Sequence, residues 1–263
     1  MILWHPVLVI EYLVLGGAAL TAVGWERLRR RRYERQYKAF LDTLSTEMQV
    51  VLHVANHEAT TRRQQLAPMH LAYGLLQDEG FIEAVTTLGG DAEAIEARVL
   101  AEMDRGVLDV MGPDVPSAVI AVAHASATAQ MAGRTATCAD LFGHLVRTPG
   151  GPLFDVPPLE THALLFLLVH GERTARSTID GARDVLVVLR NDDLTTRNFV
   201  VNVLKEVFAL SLEDAERVMT STHEGGRGVV GRFSSEVARD RLASARERAN
   251  AEHFPLWIGV EPV

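Results

Sequence analysis

Histidine and cysteine are the residues of this chain that could carry metal or nucleophilic chemistry, and neither stands in a catalytic motif. His53 and His57 are one helical turn apart, a spacing that suits two metal ligands. The zinc-protease motif, however, requires Glu directly after the first His, and Val54 occupies that position. Cys138 is the single cysteine, which we interpret as a buried structural thiol. We therefore predict neither a metal nor a cofactor.

A glycine-rich run over residues 225–231 does not form a nucleotide-binding loop. Such a loop needs Lys and then Ser or Thr after its last glycine, but Gly231 is followed by Arg232 and Phe233. The Gly-x-Ser-x-Gly pattern of serine hydrolases is also absent from the sequence. An ATP-driven unfoldase and a serine peptidase are thereby disfavoured, and we predict that the protein is not an enzyme.

The composition is that of a globular protein with an acidic body. The chain has 263 residues, of which 48% are hydrophobic and 23% are charged, enough for one or two buried cores. The net charge of −8 divides into +4 over residues 1–40 and −12 over the remainder. An acidic surface repels phosphate backbones, so we predict no nucleic-acid partner.

An apolar segment followed by a basic run begins the chain. Residues 2–25 carry one formal charge, Glu11, and Trp4 and Trp25 lie near the two ends of the segment. This pattern predicts a transmembrane anchor over residues 1–26 and a basic juxtamembrane segment over 27–40. The body would then be cytoplasmic, on a single-pass protein of the bacterial inner membrane. A buried or peripheral helix and a signal peptide are the alternatives.

Residues 41–175 are predicted to be helical and to contain an internal repeat. Apolar positions recur every three or four residues, as in the run from Met48 to Ala59. Residues 55–59 align with 125–129, and residues 70–76 align with 140–146 at the same offset.

A polar linker over residues 176–183 leads into a different pattern over residues 184–263. A β-branched run over 184–189 predicts a strand, and the turn at 191–193 precedes a helix capped by Thr195. A second helix starts at Ser211, a third spans about 235–251, and a strand covers 256–260. The fold class is therefore mainly α, with an α+β C-terminal domain.

The helical region resembles the N-terminal repeat domain of Clp ATPases. The resemblance rests on the run from Met69 to Leu76 and on Leu88-Gly89-Gly90-Asp91, with a degenerate second copy. It implies an all-helical double repeat that serves as a protein-docking surface. Intramolecular docking of this domain on the C-terminal one is a further expectation.

The C-terminal region resembles the ClpS family of Clp protease adaptors. The matching residues keep their order and spacing over about 80 positions, from Asn191-Asp192-Asp193 through Met219 and His223 to Pro255-Leu256. The resemblance implies a small sheet with helices. It also implies an adaptor that binds N-degron proteins by a free, bulky hydrophobic first residue and presents them to the N-terminal domain of a Clp ATPase.

The resemblance also assigns the site residues. Those for the substrate N-terminus are Asn191, Asp192, Asp193, Thr195 and His223, and those for the hydrophobic pocket are Arg197, Val200, Met219, Thr222 and Leu256. Amide oxygen, carboxylate and neutral imidazole are acceptors suited to an α-ammonium group. Arg197 and Thr222 depart from the residues usual in the family, which affects the expected selectivity.

A second reading of the same residues remains open. Asp192 and Asp193 also suit a turn, and Val200 and Met219 also suit a core. The alternative function is a scaffold or regulator that docks a Clp ATPase at the membrane without recognising N-terminal residues.

Overall fold

A computed structural model describes residues 34–105, 117–147, 154–178 and 183–263 of the chain. The chain divides into two compact units, the first ending at Leu159 and the second spanning Glu160–Val263. This boundary precedes the linker predicted at 176–183. Residues 160–175, which belong to the predicted helical domain, therefore lie within the second unit.

The localisation predicted at the inner membrane is wrong as far as the structure describes the chain. Within the four described ranges, no helix combines the length and the apolar character needed to cross a bilayer. The predicted anchor, residues 1–26, and residues 27–33 of the basic segment lie outside the described residues.

Helices make up the first unit. After helical residues 34–41, the helices are α1 (Thr46–Thr61), α2 (Pro68–Leu75), α3 (Glu79–Thr87), α4 (Ala92–Arg105), α5 (Ser117–Met131) and α6 (Cys138–Leu145). Phe81, Phe142 and Phe154 meet edge to face in the core, with ring centroids 4.9 to 5.7 Å apart. These aromatic rings join the two copies of the repeat into one core.

The repeat is visible in the backbone. Helix α6 lies 70 positions after α2, and the left-handed residue Gly133 (φ 72°) lies 70 positions after Arg63 (φ 57°). In both copies the third residue of the helix binds back to the N–H before it: His70 Nδ1 accepts from Ala67, and Asp140 Oδ2 accepts from Thr137. Each bond is the return half of a capping box and satisfies an otherwise unpaired backbone donor.

A three-stranded sheet with helices on both faces forms the second unit. Its elements are α7 (Thr161–His170), β1 (Asp184–Arg190), α8 (Arg197–Glu206), α9 (Leu212–Gly225), β2 (Arg227–Ser234), α10 (Ser235–Ala251) and β3 (Ile258–Pro262). The strand order is β2-β1-β3, and both pairings are antiparallel, with a register shift between Val187 and Val188 opposite β2.

The apolar run of β1 is explained by burial on both faces of the sheet. Val185, Val187 and Leu189 face the main core with residues of α8 and α10. Val188 faces the other way, in a smaller cluster with Phe166 of α7 and Trp257. A strand covered on both sides carries consecutive apolar residues rather than alternating ones.

Candidate functional site

One end of the sheet brings three chain segments together. Because β1 is central and antiparallel to both neighbours, it ends where β2 and β3 begin. The N–H of Asn191 donates to Gly226 O (2.9 Å), and the N–H of Arg190 donates to Trp257 O (3.2 Å). The turn after β1, the C-terminal turn of α9 and the residues before β3 therefore meet at this end of the sheet.

The turn after β1 is organised by the carboxylate of Asp192. Its Oδ1 accepts from the N–H groups of Leu194 (2.9 Å) and Thr195 (2.6 Å), and its Oδ2 accepts from the Thr195 hydroxyl (2.8 Å). Thr195 is thus committed to the turn. Thr196 caps α8 instead, by accepting from the N–H of Phe199 (3.3 Å), so the predicted cap at Thr195 is wrong by one residue.

Burial raises the pKa of the Asp192 carboxyl, while its hydrogen bonds with Thr195 and Leu194 and the charge of His170 act in the opposite direction. A carboxylate offers about four lone-pair positions, and the turn occupies three of them. The turn therefore leaves one lone-pair position of Asp192 unused, and a cationic donor is the kind that favours its ionised form.

Asn191 and His223 present polar groups that the described parts of the chain do not engage. Within those parts, neither the side-chain amide of Asn191 nor the ring of His223 forms a hydrogen bond. His223 is exposed in the last turn of α9, which ends at Gly226 with a positive φ of 74°. The bond from Asn191 N to Gly226 O fixes the two segments that carry these groups.

The predicted pocket residues differ in their burial. Leu256 is buried in the main core, whereas Val200 and Met219 are half-buried. Thr222 is buried because it lies beneath β2: a Cβ on Gly228 would come within 2.0 Å of its hydroxyl. Arg197 is exposed as the first residue of α8.

Asp193, the remaining predicted residue, is half-buried in the turn beside Asp192. The structure therefore brings the turn residues and Leu256 to one end of the sheet, with His223 on the adjoining helix. The hydroxyl of Thr222 donates to Val218 O of the same helix (2.8 Å).

Two histidines of α7 reach this end of the sheet and were not predicted as site residues. His162 Nε2 donates to Phe254 O (3.0 Å), and His170 Nε2 donates to Pro255 O (2.6 Å). Two histidines eight residues apart on an otherwise apolar helix were a signal in the sequence. The predicted helical domain, residues 41–175, includes both histidines, whereas the structure places them in the second unit.

Comparisons with known proteins converge on the same part of the chain. The family model of the ATP-dependent Clp protease adaptor protein ClpS matches residues 181–259. A Clp protease adapter protein ClpS from Oleidesulfovibrio alaskensis is 47% identical over 77 residues, covering 29% of this chain and 74% of that protein. The one from Desulfatibacillum aliphaticivorans is 43% identical over 76 residues, covering 29% and 73%.

Among solved structures, that of Agrobacterium tumefaciens ClpS2 bound to L-phenylalaninamide is 36% identical and covers 31% of this chain and 98% of that one, with a TM-score of 0.30.

Proposed function

The chain belongs to the ClpS family of Clp protease adaptors through its C-terminal domain, and from this premise we propose that it binds proteins by a free, bulky hydrophobic N-terminal residue. The family partners with Clp ATPases and is one of adaptors rather than enzymes. The finer proposal concerns the ligand and the residues that bind it.

The observation that carries the proposal is the pair of unengaged polar groups at the sheet end. Within the described ranges, the Asn191 amide and the His223 ring lack protein partners, and Asp192 retains one acceptor position. An α-ammonium group offers three donors and is cationic at neutral pH, because its reference pKa is about 7.7–8. Three acceptors that include a carboxylate suit this group and reject an acetylated or internal amide.

Apolar side chains beside these acceptors support a pocket for the side chain of the first residue. Val200 and Met219 are half-buried, and Leu256 precedes β3 at the same sheet end. Methionine adapts its shape to different aromatic and aliphatic groups. Apolar walls next to a few convergent polar groups are the usual form of a small recognition site.

A scaffold that docks a Clp ATPase without recognising N-terminal residues is the second candidate. It is favoured by one observation: three of the lone-pair positions of Asp192 are already used by the turn. In that case the turn would be structural, and its acidic residues would have no ligand.

For the first unit, a receptor-like docking surface is also a proposal. Its support is the duplicated arrangement of α1–α2 and α5–α6 around one aromatic core. Docking of this unit on the C-terminal one stays a prediction.

Titration calorimetry on the full chain separates the two candidates. A decapeptide that starts with Phe should bind, whereas its N-acetylated form should not. Asn191→Ala should weaken binding about tenfold, the effect of one hydrogen bond to a charged group. Asn198→Ala, which removes an exposed amide from α8, is the matched control and should bind as the wild type. Equal affinity for the free and acetylated peptides would exclude recognition of the N-terminus and favour the scaffold.

A further inference from the structure

Helix α7 lies before the residues that match the ClpS family, yet it is built into the same unit. The family match begins at residue 181, whereas the compact unit begins at Glu160. Phe166 of α7 and Ala175 pack with Val188 and Trp257 on the second face of the sheet. This face would otherwise expose a tryptophan that is only 2% accessible in the structure.

The segment after α7 is held at the outer edge of β3. The N–H of Val260 donates to Arg176 O (2.9 Å), which extends the sheet edge by one backbone bond. The guanidinium of Arg246 donates to Ala175 O (2.9 Å) and to Ile258 O (2.7 Å), so it joins the segment to the strand. Gly259 permits this approach, since a Cβ there would lie 2.8 Å from Arg176 O.

Two histidines on α7 bind the loop that carries Leu256. His162 and His170 donate to the carbonyls of Phe254 and Pro255, the two residues directly before Leu256. Their ring contacts with Phe166 fix both rings on one face of the helix. The position of Leu256 is therefore set from two sides, by the main core and by α7.

We propose that α7 is part of the recognition site and that His170 is a positioning residue, which holds the Pro255-Leu256 wall in place at the end of the sheet where the turn of Asp192 lies. The recognition unit of this chain accordingly begins at Glu160, ahead of the family match. The inference rests on the proposed function, because it concerns the same ligand.

Peptide binding to full-length variants tests the inference. His170→Ala removes the bond to Pro255 O and should weaken binding of a Phe-initiated peptide about fivefold, the effect of losing one neutral hydrogen bond. His170→Gln places an amide N–H near the position of Nε2 and should restore affinity to within about twofold. His170→Asn is too short to reach and should behave like the alanine variant. His57→Ala, an exposed histidine of α1, is the control and should bind as the wild type.

A double-mutant cycle tests whether His170 affects peptide binding through Leu256. If His170 acts through the wall, His170→Ala should cost little further affinity in a Leu256→Ala background. Thermal unfolding of each variant shows whether the C-terminal unit is intact. Should His170→Ala fail to fold, the contrast between Gln and Asn at the same position carries the test.

The outcomes distinguish failure of the role of His170 from failure of the proposed function. Wild-type binding that is selective for a free N-terminus, with the alanine and asparagine variants unchanged, overturns the role of His170 alone. Wild-type binding that ignores acetylation overturns the proposed function and this inference with it. A loss in the alanine and asparagine variants that glutamine rescues supports both.

Discussion

Asp192 carries two functions in this proposal, and substitution with Asn or Ala separates them. Its carboxylate holds the turn through three hydrogen bonds and offers the negative charge to an α-ammonium ligand. Asp192→Asn keeps Oδ1 as the acceptor for the N–H groups of Leu194 and Thr195. The Thr195 hydroxyl can rotate to accept from the new NH₂ group, so the turn should persist without its charge.

The two substitutions should therefore differ in their effects on stability and on binding. Asp192→Asn should change the free energy of unfolding by less than about 1 kcal/mol but lose about 1.5–3 kcal/mol of binding, or about 10- to 150-fold in Kd. Asp192→Ala leaves three donors without their acceptor and should also lower the free energy of unfolding by about 2–3 kcal/mol.

Urea unfolding and calorimetric titration of a Phe-initiated peptide measure the two quantities on the same samples. Asp240→Asn, which neutralises an exposed carboxylate on α10, controls for the change in net charge. Wild-type affinity in Asp192→Asn would refute the reasoning, because the carboxylate would then serve the turn alone. A large loss of stability in the same variant would show that the charge itself is needed by the turn.

Three further predictions concern selectivity and stability. Arg197 should favour an acidic over a basic second residue in the peptide by up to about fivefold, and Arg197→Glu should invert this preference in competition anisotropy. Gly228→Ala should lower the free energy of unfolding by about 1–3 kcal/mol, because its Cβ meets the Thr222 hydroxyl, and Thr222→Ala should relieve part of that loss in urea unfolding. Burial lowers the pKa of His144 from 6.5 to about 4, so the unfolded chain takes up a proton that the folded state excludes. Stability should be full above pH 6.5 and fall by up to about 3 kcal/mol towards pH 4, and His144→Gln should remove this contribution when urea midpoints at the two pH values are compared.

The C-terminal elements follow closely from local sequence. The apolar run from Val185 to Leu189 predicted the central strand, and Ser211 caps α9 as predicted, by accepting from the N–H of Asp214 (3.1 Å). Such features depend on residues within a few positions of one another, so periodicity and capping chemistry are sufficient to find them.

The sequence marks the two histidines of α7 but does not identify their partners. All the residues between His162 and His170 are apolar, and a helix that is apolar all round does not indicate which partner covers it. Its bonds to Phe254 O and Pro255 O join positions 92 and 85 residues apart, and they use backbone carbonyls, which carry no sequence signature. The cap of α8 moved by one residue for a related reason, because Asp192 had already taken the Thr195 hydroxyl.

In the two copies of the first unit, side chains of different charge satisfy the same backbone donor before the helix. His70 is steadied by Gln64, whose Oε1 lies 3.0 Å from Nε2, whereas Asp140 is held by both guanidinium nitrogens of Arg134 at 2.6 and 2.8 Å. Positions 64 and 134 are equivalent in the two copies, as are positions 70 and 140. Each copy is thus a matched pair, and exchange of a single member would leave a buried carboxylate without its cation or a guanidinium beside an imidazole. Across relatives of this unit, the two positions of each pair should therefore change together, so that an acidic residue at position 70 is accompanied by a basic one at position 64.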